Sequence, residues 1–254
     1  MSPNGIVTLT TDYGTAGAYS GALRGAVLAR ARVQIVDITH EIPPQDLAEG
    51  ARVMASACPV FPPGTVHVGV VDPGVGTARA AVVVAAGEHL FVGPDNGLFG
   101  DVVARLGLLG AWIIDTRSLG HVSATFHGRD VFAPIAARLA TGTPPEDVGP
   151  PATVLMWLAA PSAVRDGSVL RGEVVAEDRF GNLLTNLRGT DLPSNPNVAV
   201  AGRTLVGLTR TYGDATSELI ALIGSDGFLE VAAPNGSAAR FLGAGVGRVV
   251  EVRG

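Results

Sequence analysis

The segment "VVDPGVGTAR" sets an acidic residue, Asp72, and a basic one, Arg79, at either end of a glycine-rich loop between two β-branched runs, "TVHVGVV" and "AAVVVAA". A carboxylate backed by a guanidinium can orient and polarise a water O–H. The same composition also makes a plain turn closed by a surface ion pair, because Pro fixes φ and Gly accepts positive φ. Further polar residues stand where strands end: Asp12 after "GIVTLTT", Asp37 and His40 after "VQIV", Asp95 and Asn96 after "HLFV". Ligands of open α/β sheets bind outside those carboxyl ends, although an Asp there equally serves to cap the next helix. His127, in "SATFHGRDVFAP", precedes the Gly and Asp that open a helix, the place of a capping-region histidine. "AEDRFGNLLTN" reads as a hairpin whose polar residues can serve its own turn.

Several chemistries are excluded at once. The chain has no lysine, which removes Schiff-base catalysis and the phosphate-loop lysine. "GVGTAR" and the later "GAGVGR" both lead into strands, not into the helix a dinucleotide fingerprint requires. The five histidines (40, 67, 89, 121, 127) lack metal-ligand spacing, and no metal site is expected. His67, alternating within a strand, and His89, in a turn, read as ordinary structural or surface residues. The single cysteine, Cys58, allows no internal disulfide and sits in apolar "VMASACPVF" as a small core residue. A formal charge of −5 argues against binding a phosphate backbone. Strand-length apolar runs and an N-terminus without a basic-then-apolar pattern predict neither a membrane span nor a signal peptide, hence a cytoplasmic protein.

These side chains must be positioned by a scaffold, and the hydropathy pattern describes one. Up to about residue 145, apolar strands alternate with helices: "GAYSGALRGAVLARA", a Pro-opened "PPQDLAEGARVMASACPVF", "DVVARLG" and "GRDVFAPIAARLATG". "AWIIDT" is a further strand. Strands apolar on both faces imply a mostly parallel sheet covered by helices. After the Pro-rich "GTPPEDVGPPATVLMWLAAP", short strands separated by Gly/Asn/Asp turns and without a clear helix imply a smaller all-β, barrel-like domain. The expected division is an α/β domain over 1–150, a linker over 151–167 and a β domain over 168–254.

"TLTTDYG", "VDITHEIPPQD", "VVDPGVGTAR", "GPDNGLF", "TFHGRDVFAP", "DRFGNLLTN" and "GSDGFLEVAAPNGSA" occur in that order along the chain. In this the sequence resembles the S-adenosyl-L-methionine (SAM) hydroxide adenosyltransferases, hydrolase relatives of the SAM-dependent fluorinase and chlorinase. The resemblance covers nearly the whole chain and implies an N-terminal α/β domain, a C-terminal β domain, and a homotrimer binding SAM between neighbouring subunits. It implies in-line attack of water or hydroxide on the ribose C5′, releasing adenosine and L-methionine, with SAM as substrate and no cofactor. The family's Asp-Arg-His set falls on Asp72 (orienting water or acting as base), Arg79 (supporting and aiming it) and His127 (accepting or relaying the proton). Halogenating relatives carry Tyr for Asp72, Thr for Val75 and Ser for His127. A carboxylate repels a halide but suits water, so the residues here favour hydrolysis over a SAM-dependent halogenase or a non-catalytic SAM or adenosine sensor.

The resemblance also places Asp12 on the ribose hydroxyls and Gln45 beside the sugar, where halogenating relatives have Trp. Asp178 and Asn182 of a neighbouring subunit fall at the methionine end. Tyr212 falls against adenine by stacking, with Asn235 and Ala238 beside it. Ser225 matches a methionine-contacting serine, while Asp226 stands where those relatives have Arg, a departure in the carboxylate contact.

Overall fold

The computed structural model describes residues 2–159 and 161–254, which divide into two compact units, Met1–Ala159 and Ala160–Gly254. The first unit runs β1 (Ile6–Thr11), α1 (Tyr19–Leu28), β2 (Gln34–Thr39), α2 (Leu47–Ala57), β3 (Val66–Val70), β4 (Ala81–Ala86), β5 (His89–Pro94), α3 (Gly100–Leu106), β6 (Leu108–Ile113) and α4 (Ala133–Ala140). Its six strands are ordered β2-β1-β3-β5-β4-β6. β1 is parallel to β2 and β3, and β3 to β5, whereas β4 is antiparallel to both its neighbours. The mostly parallel, helix-covered sheet is therefore present, with β4 as its one reversed strand.

Period-two alternation explains the two-sided cover. In β4, Val83 and Ala85 join the core that includes Leu23 and Val27 of α1 and Ile135 and Leu139 of α4. Val82 and Val84 join the opposite core with Met54 of α2 and Val102 of α3. The reversal of β4 fixes where the 71–80 loop lies. β3 and β4 are not neighbours, since β5 separates them. The loop leaves the carboxyl end of β3, crosses the end of β5 and enters β4 at that same rim, because β4 runs the other way. Both ends of the loop, Asp72 and Arg79, are thereby kept on the ligand-binding rim of the sheet.

Three local readings need correction. Helix α2 is opened by Asp46, whose side chain accepts from Glu49 N, and not by the preceding prolines. The "GRDVFAPIAARLA" segment starts with a π-turn, Gly128–Phe132, before regular helix α4. The sixth strand spans Leu108–Ile113 and so begins before "AWIIDT". Within the segment expected as a linker, Pro151 bridges to Trp112 and Met156 N donates to Asp95. Among the described residues no helix is long and apolar enough to cross a membrane.

His67 and His89 are a buried pair, and His89 begins a strand instead of lying in a turn. His67 is 0% exposed, bonded through Nδ1 to Thr8 Oγ1 (2.7 Å) and through Nε2 to His89 Nδ1 (3.1 Å). Burial, and then His89, push the His67 imidazole down to about 3; burial also lowers His89, against the pull of Glu88. The folded His67 therefore stays neutral at mildly acid pH, while in the unfolded chain it takes up a proton below about 6.5. Stability held above that pH should fall as pH drops, His67 alone costing about 2 kcal/mol between roughly pH 7.5 and 5. Urea unfolding at the two pH values checks this; equal midpoints would refute it.

The second unit comprises β7 (Val164–Asp166), β8 (Val169–Glu177), β9 (Leu183–Arg188), β10 (Asn197–Val200), β11 (Arg203–Val206), β12 (Ile220–Ile223), β13 (Phe228–Ala232), α5 (Ala238–Leu242) and β14 (Val249–Arg253). The order β11-β10-β14-β8-β9-β13-β12, with β7 on β8, is antiparallel at every pairing. A nearly closed, barrel-like sheet results, and inward residues such as Val174, Leu187, Val198, Leu229 and Val250 fill it. The all-β unit also holds α5, a single short turn of helix capped by Ser237 Oγ, which accepts from Arg240 N. Its five residues are too few for a 3.6-residue period to show in the sequence.

Candidate active site

At the rim of the first unit, Arg79 Nε donates to both Asp72 oxygens (Oδ1 2.9 Å, Oδ2 3.1 Å), and Arg79 Nη2 donates to Oδ2 and to His127 Nδ1 (2.8 Å). The Asp72 and Arg79 side chains are only 5% and 10% exposed. This is no surface ion pair. The guanidinium also lies 5.4 Å over the Phe132 ring, so one cation is held by a carboxylate, an imidazole and an aromatic face.

Arg79 has no lone pair, so His127 Nδ1 must be the acceptor, and a neutral His127 carries its proton on Nε2. Burial first, and Arg79 second, lower the His127 pKa and keep the ring neutral. His127 caps nothing with its side chain, so the capping alternative is not realised. The carboxylate of Asp72 has about four lone-pair sites; three contacts from Arg79 leave room to accept from a water.

Local backbone builds this triplet. Asn96 Nδ2 donates to Val71 O (2.9 Å), bracing the chain just before Asp72. Gly76 has φ +78, and a Cβ there would lie 2.5 Å from Ala124 O. Only glycine lets the 71–80 loop press onto the segment that delivers His127. The π-turn after His127 opens with Gly128, and such irregular helical turns recur at functional sites.

Asp12 follows β1 at the same rim. Its Oδ2 accepts from Gln45 N (2.9 Å), and Gln45 itself is held at φ +65. Helix α1 has Ala18 at its N-cap and no side-chain cap, so Asp12 is not its cap. Among the described residues Asp12 Oδ1 has no hydrogen-bond donor. The other strand-end groups are committed to the scaffold. Asp37 is paired with Arg24 and with buried His40, and Asp95 holds Met156 N.

The predicted residues of the second unit also gather. Asp178 accepts from Phe180 N and Asn182 N through Oδ1 and from Asn182 Nδ2 through Oδ2, each at 2.9 Å. The hairpin thus rigidifies itself, as its turn chemistry allows. Ala239 N donates to Gly181 O (3.0 Å), tying that turn to the segment holding Asn235 (φ +60) and Ala238. Tyr212 Oη donates to Glu230 Oε1 (2.6 Å) while its residue stays 47% exposed. That hydrogen bond, then burial, push the phenol up to about 12. Ser225 sits in the 224–227 turn, whose Gly224 faces Glu230.

Three residues of interest escaped the sequence reading: Tyr13, Glu230 and Phe180, the last 77% exposed at the hairpin tip. The alternation of β13 could have exposed Glu230, an acidic residue in an otherwise apolar strand. Among the described residues no group of three or more His, Cys, Asp or Glu side chains could hold a metal ion.

Family profiles for the SAM hydroxide adenosyltransferase N-terminal domain and C-terminal domain match residues 7–149 and 172–251. The chain is 44% identical over 252 residues to an (R)-S-adenosyl-L-methionine hydrolase of Salinispora tropica, covering 96% of this chain and 95% of that protein. A fluorinase of an Actinoplanes species is 30% identical across 74% of each chain. The crystal structure of an uncharacterized conserved protein from Thermotoga maritima superposes with a TM-score of 0.90 at 33% identity, covering 98% of this chain and all of that one.

Proposed function

Since the chain belongs to the SAM hydroxide adenosyltransferase family, we propose that it hydrolyses SAM to adenosine and L-methionine. The carrying observation is a buried Asp72 carboxylate, held by Arg79 with acceptor capacity to spare, in a chain 44% identical to a SAM hydrolase. Water approaches the ribose C5′ opposite the sulfur. The O–C5′ bond forms as C5′–S breaks, the electron pair departs on sulfur as a neutral thioether, and the water proton passes to Asp72. No acid is needed for that leaving group, and attack of a partly anionic oxygen on a sulfonium cancels charge.

His127, with Nδ1 taken by Arg79, serves better as the anchor of the guanidinium than as the base. Asp12 Oδ1 offers an acceptor for the ribose diol, while the Asp178–Asn182 hairpin and Tyr212 belong to the methionine and adenine ends. The Salinispora relative's name specifies the (R) sulfonium, and the same epimer is proposed here. The assembly is proposed as a homotrimer with SAM between neighbouring subunits, on the strength of the family resemblance.

Purified protein, eluting at about three times the 25.8 kDa chain mass, should convert SAM to equimolar adenosine and methionine in halide-free buffer. Chromatography of the products decides it. A 5′-halo-adenosine formed when chloride or fluoride is added would favour the halogenase, no turnover the sensor, and a fully active monomer would remove the trimer.

A further inference from the structure

One hydroxyl at the rim has no role in the chemistry above. Tyr13 follows Asp12, and its ring packs on Tyr19 (5.9 Å) and Phe126 (5.8 Å). A Cβ built on Gly128 would lie 2.3 Å from Tyr13 Oη, so the hydroxyl rests against the Gly128 backbone, next to His127. It is close enough to Asp12, Asp72 and Arg79 to feel the charge of all three. Burial, then Asp12 and Asp72, raise the phenol well above its ordinary value, so it stays protonated.

Among the described residues Tyr13 Oη has no hydrogen-bond partner. Nor is it sealed away, since among the described residues the wholly buried side-chain polar atom without a partner is Thr10 Oγ1. A largely desolvated hydroxyl costs free energy unless something bonds to it. A molecule entering the rim beside Asp12 and Asp72 is within its reach as a partner.

We propose that the Tyr13 hydroxyl, lying over Gly128 beside the Asp72–Arg79 pair, donates a hydrogen bond to the attacking water. The assignment rests on the SAM-hydrolysis reading and completes its geometry. A water that gives one proton to Asp72 and receives one hydrogen bond from Tyr13 has a single lone pair left, and that pair faces C5′. The bonds made and broken are unchanged: O–C5′ forms, C5′–S breaks, the proton goes to Asp72, and Tyr13 keeps its own.

Tyr13→Phe keeps the ring and its packing and removes only the oxygen. It should lower kcat about tenfold or more while KM for SAM and Kd for adenosine stay within about twofold. The melting temperature should not fall, and the acid limb of the pH–rate profile should stay in place. A kcat within about twofold of wild type overturns the assignment. So does a displaced acid limb, which would show Tyr13 acting through Asp72. Wild-type protein that forms no adenosine overturns the SAM reading and this role together, whereas an active wild type with an equally active Tyr13→Phe overturns the role alone.

Discussion

Asp72→Asn should form adenosine from SAM roughly 10²–10⁴-fold more slowly than wild type, the span typical of losing a positioned acid–base group. The substitution keeps the shape and one acceptor oxygen, so adenosine, which is neutral, should bind nearly as before. What disappears is the charge that takes the proton and faces a sulfonium. Asp12→Asn provides the contrast. It removes a carboxylate assigned to the ribose, so adenosine binding should weaken by on the order of 1.5–3 kcal/mol, with turnover at saturating SAM largely kept. Quench-flow turnover and calorimetric adenosine binding read the two effects separately. Asp72→Asn protein that is folded and within tenfold of wild-type turnover would remove Asp72 from the chemistry.

Arg79→Met carries the second large effect, on stability as well as rate. The Asp72–Arg79 pair is almost wholly out of solvent, at 5% and 10% side-chain exposure. Removing one partner of such a pair strands a buried charge and costs about 3–5 kcal/mol. Because the same guanidinium holds His127 Nδ1, its loss frees the imidazole too, and activity should fall with stability. Asp72→Asn combined with Arg79→Met should be more stable than Arg79→Met alone, since no orphan charge remains. Urea denaturation of the four proteins in the cycle measures this. An Arg79→Met protein as stable as wild type would mean that the pair contributes nothing to the fold.

What the sequence made legible follows the reach of its signals. Period-two and helical patterns located the covered sheet, and the rule that ligands meet carboxyl strand ends pointed to Asp12 and Asp72 before any contact was known. The two residues between β4 and β5 allow only an antiparallel hairpin, but that β5, and not β4, lies beside β3 was not legible, because the six buried residues of β4 suit either place. The tautomer of His127 depends on Arg79 Nη2, a contact across 48 positions of chain that no local pattern encodes. Tyr13 has no local signal, because its environment comes from Gly128 and Phe126, far along the chain. Asp178 and Asn182 were readable both as turn residues and as ligand groups. Their hydrogen bonds show the turn role directly.

The reversed strand also bears on how the protein folds. β4 and β5 are joined by a hairpin loop so short that Ala86 pairs directly with His89, so this ribbon can zip on the microsecond scale of local hairpins. Pairing of β5 with β3 is a separate event, and it is the event that closes the 71–80 loop. Asp72 and Arg79, seven positions apart, are fixed at the same rim once the ribbon is docked on β3. The placing of the Asp72–Arg79 pair and the closure of the sheet thus depend on the same β3–β5 pairing, so a chain without that pairing should lack activity however much of its secondary structure has formed.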